Sequence, residues 1–260
     1  MKKVLVLFVL GVCLVVITAS QPRRAVEIRI LSFNIQHGED DQGASNLRTV
    51  LRVIQENEPH LVALQAIDSV GNEDRVRFQL RQLAAQTGMY YAYGAADGQD
   101  AASQGIGILS RWPFEKTQKL SLPHSPGADP RVLLCGLIRY SRWFTFRFCN
   151  ARLEYASVFD RALQAAFINR ALGESVQPVF LAMDMGARPN EQPYFSFQTK
   201  WQDAAKGSLL PTWTEGISGD RLDYIMVLEN KRVQIKNYKV IRNYPQASDH
   251  FPIMATIEVW

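Results

Sequence analysis

Five polar side chains stand where apolar runs begin or end in this 260-residue chain: Asn34 closes "RILSFN", Asp184 closes "VFLAMD", Asp223 interrupts "RLDYIMV", and Asp249 with His250 precedes "FPIMATIEVW". An acid next to an imidazole at a strand mouth is either a capped turn or part of a reaction centre. Asn and Asp commonly cap turns at strand ends, so any one of these positions alone carries little weight. Five of them at the same kind of place are harder to assign to turns, and an acid paired with histidine is suited to proton transfer.

Such side chains need a scaffold that brings strand ends together. From residue 27 the chain alternates β-rich runs with amphipathic stretches. "EIRILSFNI" reads as a strand; "SNLRTVLRVIQENEP" places Leu47, Val50, Leu51 and Ile54 at helical spacing after a capping Ser45 or Asn46 and stops at Pro59. "LVALQ" is a second strand and "DRVRFQLRQLAAQTG" a second helix ended by Gly88. Strands "MYYAYG", "GIGILS", "RVLLCGLIRY" and "WFTFRFCN" follow, then a helix "SVFDRALQAAFINRAL" ended by Gly173, then the strands "PVFLAMD", "RLDYIMVL", "RVQIKNYKVI" and "FPIMATIEVW". This mix of helix-linked and hairpin-linked strands predicts an α/β fold of four layers, two packed mixed β-sheets flanked by helices. Three long connections, residues 95 to 104, "SLPHSPGADPR" and "TKWQDAAKGSLLPTWTEGISGD", are where a cleft on a rigid sandwich is usually built.

The first twenty residues stand apart. "MKKVLVLFVLGVCLVVITAS" has a basic head, an apolar middle and a small-residue exit, the order of a secretory signal peptide. The competing reading is an uncleaved anchor, but the apolar run is short for a span of about 20 residues. We therefore expect a signal peptide at 1–20, a single domain at 21–260, a secreted or periplasmic location, no stable membrane span after cleavage, and a monomer. Without Lys2 and Lys3 the chain has 27 basic and 25 acidic residues. That balance argues against a general nucleic-acid coat. Cys135 and Cys149 fall on successive strands; one residue of register decides whether they share a face. Export permits a disulfide, but two buried thiols are the plainer reading.

The order "LSFNIQHG", "PHLVALQAIDS", "GIGILSRWPFEK", "FCNARLEY", "VFLAMDMGARPN", "RLDYIMV" and "SDHFPIMATI" resembles the endonuclease/exonuclease/phosphatase superfamily, whose fold is similar to that of deoxyribonuclease I. The resemblance runs from about Glu27 to Val259, and "RLDYI" followed by "SDHFP" is its most discriminating part. It implies a phosphoesterase using Mg²⁺ or Mn²⁺ and acting on a phosphorylated small molecule, a phospholipid or a nucleic acid. It further implies that Asn34 helps to hold metal and phosphate, that Asp184 orients or activates the attacking water, that Asp249 helps to place metal or water, and that Asp223 holds His250 in one tautomer against the phosphate.

The departures fall on functional positions. The family pattern has a metal-binding glutamate where this chain has Ala66, Thr-His where it has Ala151 and Arg152, and Gly-Asp-X-Asn where it has Met183, Asp184, Met185 and Gly186. Ile106 stands where an asparagine is frequent. Losing one preorganised donor costs about 10² to 10³ in rate, and Mg²⁺ is usually held by only one or two carboxylates. Asp68, on the same face if the strand persists, or Asp40 or Asp41 would be the compensating acids. Arg152 is read either as fixed positive charge that binds phosphate without a metal or as the partner of Glu154 or another surface acid. His60 and His124 read as exposed loop residues, and His37 has no assigned role. The sequence leads to an exported member of this superfamily with a depleted site that binds a phosphorylated ligand, requiring either Mg²⁺ or Mn²⁺ or no cofactor. The competing readings are an active secreted phosphodiesterase or phosphatase and a non-catalytic interaction module.

Overall fold

A computed structural model describes residues 25–40, 42–68, 73–96, 104–214 and 219–260. The expected signal peptide and most of the polar 95–104 loop lie outside the described residues. In chain order the elements are β1 (Val26–Asn34), α1 (Leu47–Asn57), β2 (Leu61–Asp68), α2 (Glu73–Thr87), β3 (Tyr90–Gly94), β4 (Gln104–Ser110), β5 (Phe114–Ser121), β6 (Val132–Ser141), β7 (Phe144–Arg152), α3 (Val158–Leu172), β8 (Val179–Asp184), α4 (Gln192–Phe195), β9 (Trp201–Asp203), β10 (Asp223–Leu228), β11 (Val233–Val240) and β12 (Ile253–Val259).

The strands form two mixed six-stranded sheets, ordered β11-β12-β1-β2-β4-β3 and β5-β6-β7-β8-β10-β9. Each sheet has one parallel pair, β1 with β2 and β7 with β8. Those are the pairs whose connections run through a long helix, because parallel neighbours need a crossover. Apolar side chains on both faces of the inner strands account for the layering. In β1, Ile28 and Ile30 pack between the sheets with Ile108, Phe146, Phe148 and Ile257, whereas Leu31 and Phe33 face α1 and α2 through Val50, Val53 and Leu80. The outer face of the second sheet packs Leu181 and Tyr224 against Ile168 and Leu172 of α3. This is the expected helix–sheet–sheet–helix sandwich.

Three elements escaped the sequence reading. β5 is an edge strand whose side chains are mostly exposed, so it lacks alternation and carries the lysines that protect an open edge. The four-residue α4 and three-residue β9 are too short for any periodicity to register. The helix-capping role expected for Asn46 is also revised. Its side chain makes no cap bond; its amide donates instead to the carbonyls of Ile35, Glu39 and Ala247, tying the loop after β1 to the one before β12.

Cys135 and Cys149 face each other directly in the β6–β7 register and are joined in a disulfide, which corrects the reading of two thiols. Between the sheets, Asn150 of β7 donates to the Leu64 carbonyl at 2.9 Å and the Gly107 carbonyl at 2.8 Å, and accepts from Gln65 Nε2 at 2.8 Å. The β2–β4 ladder shifts register between Leu64 and Ile67. A bulge frees backbone groups, and Asn150 satisfies one of them.

Candidate functional site

The site forms where the two sheets meet at the C-terminal ends of their parallel strands. Asn34 ends β1 in the first sheet, while Arg152 ends β7 and Asp184 ends β8 in the second. Asp223 opens β10 and pairs with Asp184 in the ladder. Asp249 and His250 come from the loop that feeds β12. Two hydrogen bonds span the sheets: Asn34 Nδ2 donates to Asp184 Oδ2 at 2.9 Å, and His250 Nδ1 meets Asp223 Oδ2 at 2.8 Å. The five polar residues singled out in the sequence thus gather at one place.

Each is held by a neighbour. Asn34 Oδ1 accepts the Gln36 N–H at 3.1 Å, and Ser248 Oγ donates to the Asn34 carbonyl at 2.8 Å. Thr212 Oγ1 accepts the N–H of Asp223. The N–H of Asp249 donates to Gln36 Oε1 at 2.9 Å, and the Asp249 carboxylate accepts from Ser248 Oγ at 3.2 Å. Gln36, Thr212 and Ser248 were not foreseen, since no sequence pattern marks a single polar residue that acts across more than 200 positions of chain, as Gln36 and Ser248 do.

Asp184 is fully engaged. Its Oδ2 takes Asn34 and also lies 3.3 Å from Arg152 Nε, and its Oδ1 accepts the Gly186 N–H at 3.1 Å. Arg152 therefore pairs with Asp184, an acid neither sequence reading had named for it; Glu154 pairs with buried Arg131 at 3.2 Å instead. Burial works against charge on the His250 imidazole, but the carboxylate of Asp223, that of Asp184, the Asp223 hydrogen bond and Asp249 outweigh it and raise the pKa to about 9. Burial pushes the Asp223 carboxyl up, with the imidazole opposing it. The pair retains a shared proton through neutral pH, and Nε2 is the nitrogen left to the cleft.

Ala66 is completely buried and has φ +54°, in the left-handed region. It sits in the β2 bulge, one residue after Gln65, the β-ladder partner of Asn34. The Asp68 side chain and Asp41, two of the acids considered as compensation, lie outside the described residues. Gly186 is likewise left-handed, with φ +61°. His60, read as exposed, is half-buried: Nδ1 accepts the Arg29 N–H at 2.9 Å, and burial with Arg29 and Arg111 lowers its pKa to about 4. His124 is exposed.

Beside these residues opens a cleft of about 590 Å³ lined by Arg152, Asp184, Gly186, Asp249 and His250, together with Tyr155, Arg161, Arg188 and Trp213. Arg161 was also missed. Its signal was available, because Arg161 falls on the same helical stripe as Ala165, Ile168 and Leu172, a charged residue on a buried face.

A model of the endonuclease/exonuclease/phosphatase family matches residues 31–250. The chain belongs to that family. Among solved structures, an endonuclease/exonuclease/phosphatase family protein from Bacteroides thetaiotaomicron superposes with a TM-score of 0.76 at 16% identity, covering 91% of this chain and 96% of that one. A mannosyl-6-phosphatase from the same species gives 0.74 at 16% identity over 88% and 99%. D. rerio TDP2, solved with a single-strand DNA product, gives 0.73 at 18% over 89% and 98%. No curated protein matches. At these identities the likeness is one of fold.

The endonuclease/exonuclease/phosphatase family is typically dependent on a divalent metal, and the ligand atoms of Asp184, Asp223 and His250 lie within 4.8 Å of one another. The donor set does not suit a hard dication. Both oxygens of Asp184 accept protein N–H groups, Asp223 Oδ2 is taken by His250, and a guanidinium already stands against Asp184. Asn34 spends both ends of its amide within the protein, and Asp249 lies outside the group of three. Residue 66 presents a methyl group. Mg²⁺ prefers carboxylate oxygens and water and would have to displace Arg152.

Proposed function

We propose that this chain is an exported member of the endonuclease/exonuclease/phosphatase family in which metal-dependent hydrolysis is depleted and the cleft binds a phosphorylated ligand. The observation that carries this reading is the ion pair between Arg152 and Asp184. It supplies positive charge where the acid would otherwise call for a cation, and a guanidinium is suited to phosphate oxygens. Ala66 supports it from the other side. A non-glycine residue in the left-handed region costs on the order of 1–3 kcal/mol and is typical of functional sites; here the strained backbone remains while the side chain has no donor. The Asp223–His250 pair still has the geometry of a proton carrier, its Nε2 positioned to protonate or bond an anionic oxygen in the cleft. Export is supported by the leader-like first twenty residues and by the Cys135–Cys149 disulfide.

Calorimetric titration with Mg²⁺ and Mn²⁺, together with hydrolysis of bis(p-nitrophenyl) phosphate, tests the reading. We expect neither a binding isotherm nor metal-stimulated turnover. Saturable metal binding with turnover would establish instead an active metal-dependent phosphodiesterase. The triple variant Ala66→Glu, Arg152→His, Gly186→Asn should gain metal-dependent hydrolysis by orders of magnitude, since each lost donor is worth about 10² to 10³.

A further inference from the structure

Arg161 has an unusual position in the cleft. It is only 7% exposed, and Nη1 donates to the carbonyls of Glu154 and Tyr155 at 3.0 and 2.7 Å. Its Nε is buried without a partner. Among the described residues no carboxylate pairs with it, whereas Arg188, at the same cleft, is clamped by Asp220 through two bonds of 2.7 Å. Removing a guanidinium from water is costly, and buried charges are ordinarily matched by an opposite charge. Nε is closed off from solvent, and Nη2, which has no protein partner among the described residues, is the end of the fork left for a phosphate oxygen.

Gly186 lies beside it. A Cβ there would stand 3.6 Å from both Cδ and Nη1 of Arg161, so the missing side chain leaves the Cδ–Nη1 edge uncovered in the cleft that both residues line. Gly186 also donates to Asp184, which pairs with Arg152, so the two arginines flank one short stretch of backbone.

We propose that Arg161 is the specificity-determining anion anchor of this cleft, receiving the terminal phosphate of a small phosphomonoester between itself and Arg152. The assignment rests on the reading of the cleft as a phosphate-binding site. Two guanidinium groups match a dianionic monoester better than a singly charged diester. The volume of about 590 Å³ is that of a small-molecule site, and Tyr155 and Trp213 among its lining residues supply aromatic surface for the esterified group.

Calorimetry with phenyl phosphate, diphenyl phosphate and vesicles containing phosphatidic acid, in buffer with EDTA, tests this on the full chain without its leader. Phenyl phosphate should bind and diphenyl phosphate bind more weakly. Gly186→Asp places a carboxylate against Arg161 without changing the sequence of α3 and should weaken phenyl phosphate about 10- to 100-fold, the range of one charged hydrogen bond. Gly186→Asn, equal in size and equally tolerant of positive φ, should weaken it far less. Equal loss in both, equal affinity for monoester and diester, or binding confined to vesicles would each overturn the proposal. Loss of binding in Arg152→Met together with an unchanged Gly186→Asp would overturn the role of Arg161 while leaving the cleft a phosphate site. Absence of phenyl phosphate binding in the wild type overturns it outright.

Discussion

At the scale of single residues, two buried charges should dominate the response to pH and mutation. His250 titrates in the folded state near pH 9, above the ordinary histidine value of 6.5. A raised pKa means that the folded state binds the proton more tightly, so the stabilisation is complete below pH 6.5 and is lost as pH rises toward 9. Melting temperatures measured across that window should fall, and His250→Gln should flatten the fall. The second charge is Arg131, whose pKa is lowered by burial and by Arg152, with Glu154 opposing. Glu154→Gln would remove the buried carboxylate from Arg131 at a site where both side chains are almost wholly buried, leaving the exposed Asp129 at 3.5 Å beside it. We expect a loss of about 1–3 kcal/mol in urea unfolding. Such a loss would also loosen the segment that carries Arg152, because the Glu154 N–H and carbonyl hold Gln164 and Arg161.

At the scale of elements, the β6–β7 hairpin presents Arg152 at its end, and the disulfide pins its register. Cys135 and Cys149 are 14 positions apart, and a closed loop of about 15 residues is worth about 3 kcal/mol in the chain-entropy account. Cys135→Ser with Cys149→Ser, or reduction by dithiothreitol, should lower the unfolding free energy by about that amount; no change would show that the crosslink adds nothing to the ladder. α3 contributes differently. Ser157 caps it by accepting the Asp160 N–H, and Asp160 Oδ1 in turn accepts both the N–H and the hydroxyl of Ser125. The start of the helix, and with it Arg161, is therefore fixed to the loop before β6.

At the scale of the whole molecule, the site depends on how the two sheets stack. Asn34 and His250 belong to one sheet and Asp184, Asp223 and Arg152 to the other, so any slip between the sheets separates the hydrogen-bonded pairs. Asn150 is the polar tie that fixes this stacking from within the core. Asn150→Ala would take a donor from the carbonyls of Leu64 and Gly107 and one of two acceptors from the Gln65 amide, which keeps Ser32 Oγ at 3.0 Å, all in a buried layer. Each unsatisfied buried group costs about 1–3 kcal/mol, so we expect at least ~3 kcal/mol by chemical denaturation. The Arg152–Asp184 contact at the end of the same strand should weaken with it, readable as reduced phenyl phosphate affinity in the folded protein. Among the described residues no helix is long and apolar enough to cross a membrane.

The sequence by itself determined the layered sandwich and the gathering of Asn34, Asp184, Asp223, Asp249 and His250. Apolar periodicity dictates which faces are buried, and a polar residue at the end of a buried strand has only the sheet edge to occupy. It also carried, in Ala66, Arg152 and Gly186, the identities on which the proposed loss of metal-dependent hydrolysis rests. Tertiary structure alone decided what those residues touch. Cys135 and Cys149 meet because of hairpin register, which a bulge or a single slipped pair would change. Arg152 turns to Asp184 and not to Glu154 because Arg131, twenty-one positions earlier in the chain, already occupies that acid. Arg161 lines the cleft beside a left-handed glycine from a different loop. These are contacts across long stretches of chain, and no local propensity encodes them.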